Sequence, residues 1–227
     1  MIDLKTENLL INKEVNENLE SILKRKAFSN GYIFYGPEGI GKKQTAMKFI
    51  MEIFNKYSSN SNIEKKIIDK NHPDFLLIEP TYFFKGNLIN RSEAEPTKNN
   101  KETIRIEQIR NLKTFLGQKS IESGGKIVLI DDAHLMNEAA SNCLLKTLEE
   151  PSNGIFILLT SRLNLLLDTI ISRCQLIRFK SFSYKQLEIF IRNNLDSTVF
   201  DIYKEIDLEY FINSANGSPG KILKDIK

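Results

Sequence analysis

A chain of 227 residues has room for one main α/β core with a small appendage, and is too short for two full-sized domains. Its 41% hydrophobic and 27% charged residues are ordinary for a soluble globular protein, and no apolar run approaches the roughly 20 residues of a membrane span. A net charge of +3 is too slight to mark a nucleic-acid binder. Cys143 and Cys174 lie far apart and outside any C-x-x-C spacing, which argues against a zinc site and a disulfide framework, and they are expected to be buried as small hydrophobes.

In chain order, "MIDLKTENLLINKEV" lacks the basic-apolar-small pattern of a signal peptide, which predicts a cytoplasmic protein. To about Phe28, the apolar residues Leu9, Val15, Leu19, Ile22 and Leu23 recur at helical spacing, predicting one or two amphipathic helices. "GYIFYG" then reads as a buried strand and "KKQTAMKFIMEIFNKY" as a helix. Residues 58–70, rich in Ser, Asn and Lys, predict a loop or weak helix before a second strand, "DFLLIE". Residues 85–101 are polar and lack either periodicity, so a poorly ordered surface insertion without chemistry is expected there.

"IRIEQIRNLKTFLGQ" predicts a helix, "KIVLID" a strand, "NEAASNCLLKTLEEP" a helix stopped by Pro151, and "GIFILLT" another strand. Strands alternating with helices imply a parallel sheet covered on both faces. After "RCQLIRF" the patterns are helical only, "SYKQLEIFIRNNL", "DLEYFINSA" and "PGKILKDI", with a turn at Asn216-Gly217. The expected organisation is an α/β nucleotide-binding-like domain over 1–180 and a small helical lid over 181–227, with no internal repeat.

Two motifs carry chemistry. In "FYGPEGIGKKQTAMKF" a strand meets a helix through a glycine loop, the context in which backbone N–H groups cradle phosphates. Gly36, Gly39, Gly41 and Lys42 supply that much. The next position, where Ser or Thr would ligate Mg²⁺, is Lys43, whose ammonium repels a cation. The loop therefore does not commit the chain to ATP or Mg²⁺. Metal-independent phosphate binding and a purely structural turn both stay open. In "KIVLIDDAH", Asp131 is placed to hold Mg²⁺ through water, and Asp132 stands where many ATPases carry a Glu. An Asp pair after a strand equally caps the next helix.

The run "DDAHLMNEAASNCLLKTLEEPSNGIFILLTSRLNLLLDTIISRCQLIRF" closely resembles the core of bacterial clamp-loader subunits of the AAA+ class, and the likeness extends to "HPDF", "IRIEQIR" and "ANGSPGK". Within that family, a phosphate loop without its Ser or Thr resembles the delta-prime type more than the ATP-hydrolysing gamma/tau type.

The resemblance implies a P-loop NTPase-like sheet with a lid, and a ring in which each nucleotide lies between neighbouring subunits. It also implies partners of the gamma/tau and delta types, with the sliding clamp and primer-template DNA reached through the complex, and no membrane. Arg173 of "SRC" would then face the terminal phosphate held by the next subunit as an arginine finger; the plain reading is a helix-end cation paired with a carboxylate.

By the same likeness Thr160 is a polar sensor or a helix cap, and Lys221 a lid contact to nucleotide or a surface residue. Arg105, Arg110 and Lys113 track DNA phosphates or form a solvated basic face. The family's zinc module is not expected, and the collar domain of the family is not expected in this chain. The rival readings are an active ATPase, with Thr45 or water replacing the missing hydroxyl, and a non-nucleotide interaction module. No carboxylate cluster for two-metal nuclease or polymerase chemistry is visible.

Overall fold

A computed structural model describes residues 12–57, 62–84, 87–90, 102–122, 124–150, 154–194 and 208–225. The first helix, α1 (Lys13–Arg25), buries Val15, Leu19, Ile22 and Leu23, which share one face at helical spacing; Leu9 lies outside the described residues. Next come β1 (Gly31–Tyr35), α2 (Lys42–Asn55), α3 (Ile63–Ile68), β2 (Phe75–Ile78), β3 (Thr81–Phe84), β4 (Asn87–Asn90) and α4 (Ile106–Gly117). The second half holds β5 (Lys126–Ile130), α5 (Glu138–Glu149), β6 (Gly154–Thr160), α6 (Asp168–Ile171) and β7 (Gln175–Arg178), then α7 (Tyr184–Asn194), α8 (Leu208–Ser214) and α9 (Pro219–Asp225). Among the described residues no helix is long and apolar enough to cross a membrane.

Five strands form one parallel sheet in the order β2-β5-β6-β1-β7. This is the expected P-loop NTPase-like sheet, succeeded by helical elements as in an AAA+ lid. Its central strands are apolar without alternation because both faces are covered. Tyr32 and Phe34 point to one side, against α1 and α2, with Phe49, Ile50 and Phe54. Ile33, Val128, Phe156 and Leu158 meet α4 and α5 on the other, with Ile109, Leu112 and Leu144. Each such fully buried side chain contributes about 1.5–3 kcal/mol by leaving water.

The last three helices join the first of these cores. Leu187 and Ile191 of α7, Ile212 of α8 and Ile222 of α9 are buried with Phe179 and Phe182. The Phe182 amide also donates to the Gly217 carbonyl at 2.9 Å.

Within residues 85–101, where a poorly ordered insertion is expected, residues 87–90 form β4, which pairs antiparallel with β3, Tyr82 opposite Ile89 and Phe83 opposite Leu88. A backbone ladder needs no hydrophobic periodicity in the second strand, which is why "NLIN" gave no signal. The Thr81 and Thr103 backbones exchange hydrogen bonds of 3.0 and 3.2 Å, tying the base of this excursion to α4. Residues 91–101 lie outside the described residues.

The end of the sheet remote from the glycine loop is held by Asp74 of "HPDF". Its fully buried carboxylate accepts the amides of Ile121 at 2.9 Å and Glu122 at 2.7 Å and the Ser120 hydroxyl at 2.9 Å. Asp74→Ala leaves those donors unpaired beside the buried Lys126. It is expected to cost about 3 kcal/mol of unfolding free energy, measurable by urea denaturation of the purified chain.

Candidate functional site

All five parallel strands end on the same side, so the residues just beyond their C-terminal ends gather at one edge of the sheet. The loop after β1 turns sharply at Gly36, where φ is +153° and any Cβ would sit 2.4 Å from the Phe179 carbonyl oxygen. It ends at Gly41, which caps α2 with a left-handed backbone. Lys42 is buried and folds back on the loop, its Nζ donating to the carbonyls of Gly36 at 2.8 Å and Pro37 at 2.7 Å. Burial lowers its pKa, against the pull of Asp132, Asp131 and Glu38.

Lys43 does more than repel a metal. Its Nζ lies between two carboxylates, 2.8 Å from Glu79 Oε1 and 2.9 Å from Asp131 Oδ2. The other oxygen of Glu79 accepts from Lys70 Nζ at 2.6 Å. Burial works against the Lys43 charge, but Asp131 and Glu79 outweigh it and its pKa rises. Burial likewise disfavours the Glu79 carboxylate, yet the two lysines hold its pKa down at about 2.

Sequence reasoning missed Glu79 and Lys70. The signal was available in part: "DFLLIE" and "KIVLID" are neighbouring strands ending in an acid, with Ile78 opposite Ile130, so Glu79 and Asp131 emerge side by side.

The remaining loop residues are engaged within the chain. Thr45 donates its hydroxyl to the Gly41 carbonyl at 3.0 Å, one turn back in α2. Asp132 takes a left-handed backbone at φ 47°, its carboxylate 4.0 Å from His134 Nδ1. The same ring nitrogen is 3.2 Å from the hydroxyl of the buried Thr160, which accepts the Arg162 amide at 3.0 Å. The lid closes directly on the loop, with the Gly220 amide donating to the Gly39 carbonyl at 2.9 Å. A Cβ on Gly220 would come within 2.8 Å of that oxygen, so only glycine permits the approach. Lys221 is the next residue, its amide bonded to the Ser218 carbonyl at 3.2 Å.

A magnesium nucleotide does not fit this arrangement. An ammonium occupies the space between the carboxylates, the Lys42 ammonium is engaged by loop carbonyls, and the lid backbone sits on Gly39. A cleft of about 780 Å³ opens on the flank of the loop, lined by Gly36, Pro37, Arg162, Arg178 and Lys180, and does not reach Lys42 or Lys43.

Arg173 stands apart from this site, after α6 and before β7. Residues 175–178 of β7 run alongside 32–35 of β1, which sets Arg173 more than about 10 Å back from the loop along the sheet. The side chain is exposed. One guanidinium nitrogen donates to the Thr169 carbonyl at 2.9 Å and another to Glu149 Oε1 at 2.7 Å. Of the three cations at and before α4, Arg105 precedes the helix and donates to Thr81 Oγ1 at 3.3 Å, Arg110 is exposed, and Lys113, one turn on, pairs with Glu150 at 2.9 Å. Both cysteines are half-buried thiols rather than fully buried, and desolvation pushes Cys174 up to about 11.

The sequence profile described as "DNA polymerase III, delta subunit" matches residues 11–183. The chain is 34% identical over 157 residues to the DNA polymerase III subunit delta' of Pseudomonas aeruginosa, covering 66% of this chain and 43% of that protein. It is 30% identical over 189 residues to the delta' subunit of Bacillus subtilis, covering 78% of this chain and 52% of that one, and 27% identical to the B. subtilis tau subunit, covering 93% and 35%. It thus spans about half or less of the length of these relatives. A gamma-subunit-related protein of Thermotoga maritima shares the fold, at a TM-score of 0.52 and 21% identity, over 92% of this chain and 57% of that one.

The Glu79 pairing predicts an acid dependence. Its pKa falls from 4.5 to about 2 on folding, so its stabilisation is fully present above about pH 4.5 and is lost as the pH drops toward 2. Thermal unfolding from pH 5 to pH 2.5 is expected to show this loss in the wild type, with a shallower decline in Glu79→Gln.

Proposed function

This chain belongs to the DNA polymerase III clamp-loader family of AAA+ proteins, and we propose that within it the chain acts as a delta-prime-type subunit. In this reading it joins gamma/tau-type and delta-type partners in the cytoplasm, and the assembled complex places a sliding clamp on primed DNA. Its own turnover of ATP is absent or slight, and it completes the ATP site of a neighbour with Arg173.

The observation that carries the proposal is the contrast between two cationic positions. Lys43 is locked between Glu79 and Asp131 on its own loop, whereas Arg173 is exposed, remote from that loop, and held by one carboxylate and one carbonyl. A planar guanidinium presented at a surface can bridge the charge that develops on a phosphoryl group bound to another subunit. In this reading its bonds to the Thr169 carbonyl and Glu149 orient it before any ligand arrives. The reading as an ATPase in its own right finds no support in Thr45, whose hydroxyl is turned back into its helix.

Assembly of the loader with Arg173→Ala tests the proposal. Turnover at the adjoining ATP site is expected to fall by roughly a thousandfold, the scale of a lost arginine finger, with the subunit still incorporated by size-exclusion chromatography. Unchanged ATP turnover and clamp loading by the complex would remove the finger role.

A further inference from the structure

In a working phosphate loop a metal and a nucleotide join the loop helix to the acidic strand ends. Here protein groups make those joins. Lys43, at the head of α2, reaches Asp131 after β5 and Glu79 after β2, while Lys70, beyond α3, takes the second oxygen of Glu79. We infer that the Lys43 ammonium is a tethered counter-ion standing in the metal's place, so that loop helix and sheet are fastened permanently and without nucleotide. The inference rests on reading the loop as a phosphate loop by descent; it does not depend on Arg173.

The register of the sheet creates the demand for this cation. Ile78 and Ile130 are partners on adjacent strands, which brings the Glu79 and Asp131 backbones to about 5 Å from each other. Two carboxylates so placed raise one another's pKa unless a cation lies between them. Glu79 is nearly buried, its side chain only 8% exposed, and Asp131 is 16% exposed, so water alone neutralises neither. Among the described residues, Lys43 and Lys70 face Glu79 and Asp131, two positive charges against two negative ones. Of the charged groups next to them in sequence, Lys42 is turned onto the Gly36 and Pro37 carbonyls and the Asp132 carboxylate lies 4.0 Å from His134 Nδ1.

Removing the ammonium leaves two acids facing one lysine, an oxygen set suited to a hard divalent cation. Lys43→Thr therefore exchanges a built-in charge for a diffusible one.

The test is thermal unfolding of the isolated chain, in EDTA and in millimolar Mg²⁺ or Mn²⁺. Wild type is expected to melt at one temperature in both. Lys43→Thr is expected to lose roughly 5 °C in EDTA and to recover most of it with metal, and adding Asp131→Asn to that variant should abolish the recovery. A wild-type midpoint for Lys43→Thr in EDTA, or a wild type that Mg²⁺ stabilises, would overturn the inference.

If Lys43→Thr does not fold in either buffer, the triple variant K43M/E79Q/D131N decides. Folding of this version, which keeps only the half-exposed Lys70 charge, supports the counter-ion role, and its failure overturns it by making Lys43 a packing residue. No nucleotide or partner subunit enters these measurements, so they stand or fall separately from the proposed arginine finger.

Discussion

Adjacent parallel strands deliver their C-terminal neighbours to the same edge, and β2 and β5 deliver Glu79 and Asp131. Two nearly buried carboxylates side by side are unstable as neighbours. Whichever cation resolves that conflict decides what the loop can do. A diffusible metal would make it responsive to ligand, since binding and release change the charge. A lysine from the loop helix makes it constant. Gly36 and Gly39 still form the turns of a phosphate cradle, and their carbonyls accept from Lys42 and Gly220.

The alternation of strand and helix was legible because strands buried on both faces must be nearly uninterrupted apolar runs, as "KIVLI" and "GIFILL" are, and because Pro151 and the glycines punctuate them. Less legible was anything that depends on neighbours in space. The terminal acids of "DFLLIE" and "KIVLID" are 52 residues apart, and only the strand order makes them adjacent. Lys43 was identified as a residue that excludes magnesium, from charge alone. That it also neutralises two acids required the register. The β3–β4 hairpin was lost for the opposite reason, since its pairing lies in the backbone and its side chains carry no period.

The lid is attached by contacts of the same self-sufficient kind. Leu187, Ile191, Ile212 and Ile222 bury themselves against the core that holds α1 and α2, while Gly220 meets Gly39 backbone to backbone. Hydrophobic burial supplies most of the attachment, and a single amide-to-carbonyl bond fixes where the lid rests on the loop. Nothing in this contact waits for a phosphate.

The two cationic positions also differ in how firmly they are held. Lys43 sits between carboxylates that are mostly removed from water, where opposite charges attract strongly and unpaired ones are costly. Its own side chain is 40% exposed, which tempers the strength of the clasp without removing the need for it. Arg173 and Glu149 are 38% and 47% exposed, and such a surface pair contributes about 0–1 kcal/mol. In the proposed finger role a phosphate has only this weak, solvated contact to displace, whereas a competitor for Lys43 faces two acids. The cation between two acids is held on both sides; the cation lodged against one acid in water is held loosely.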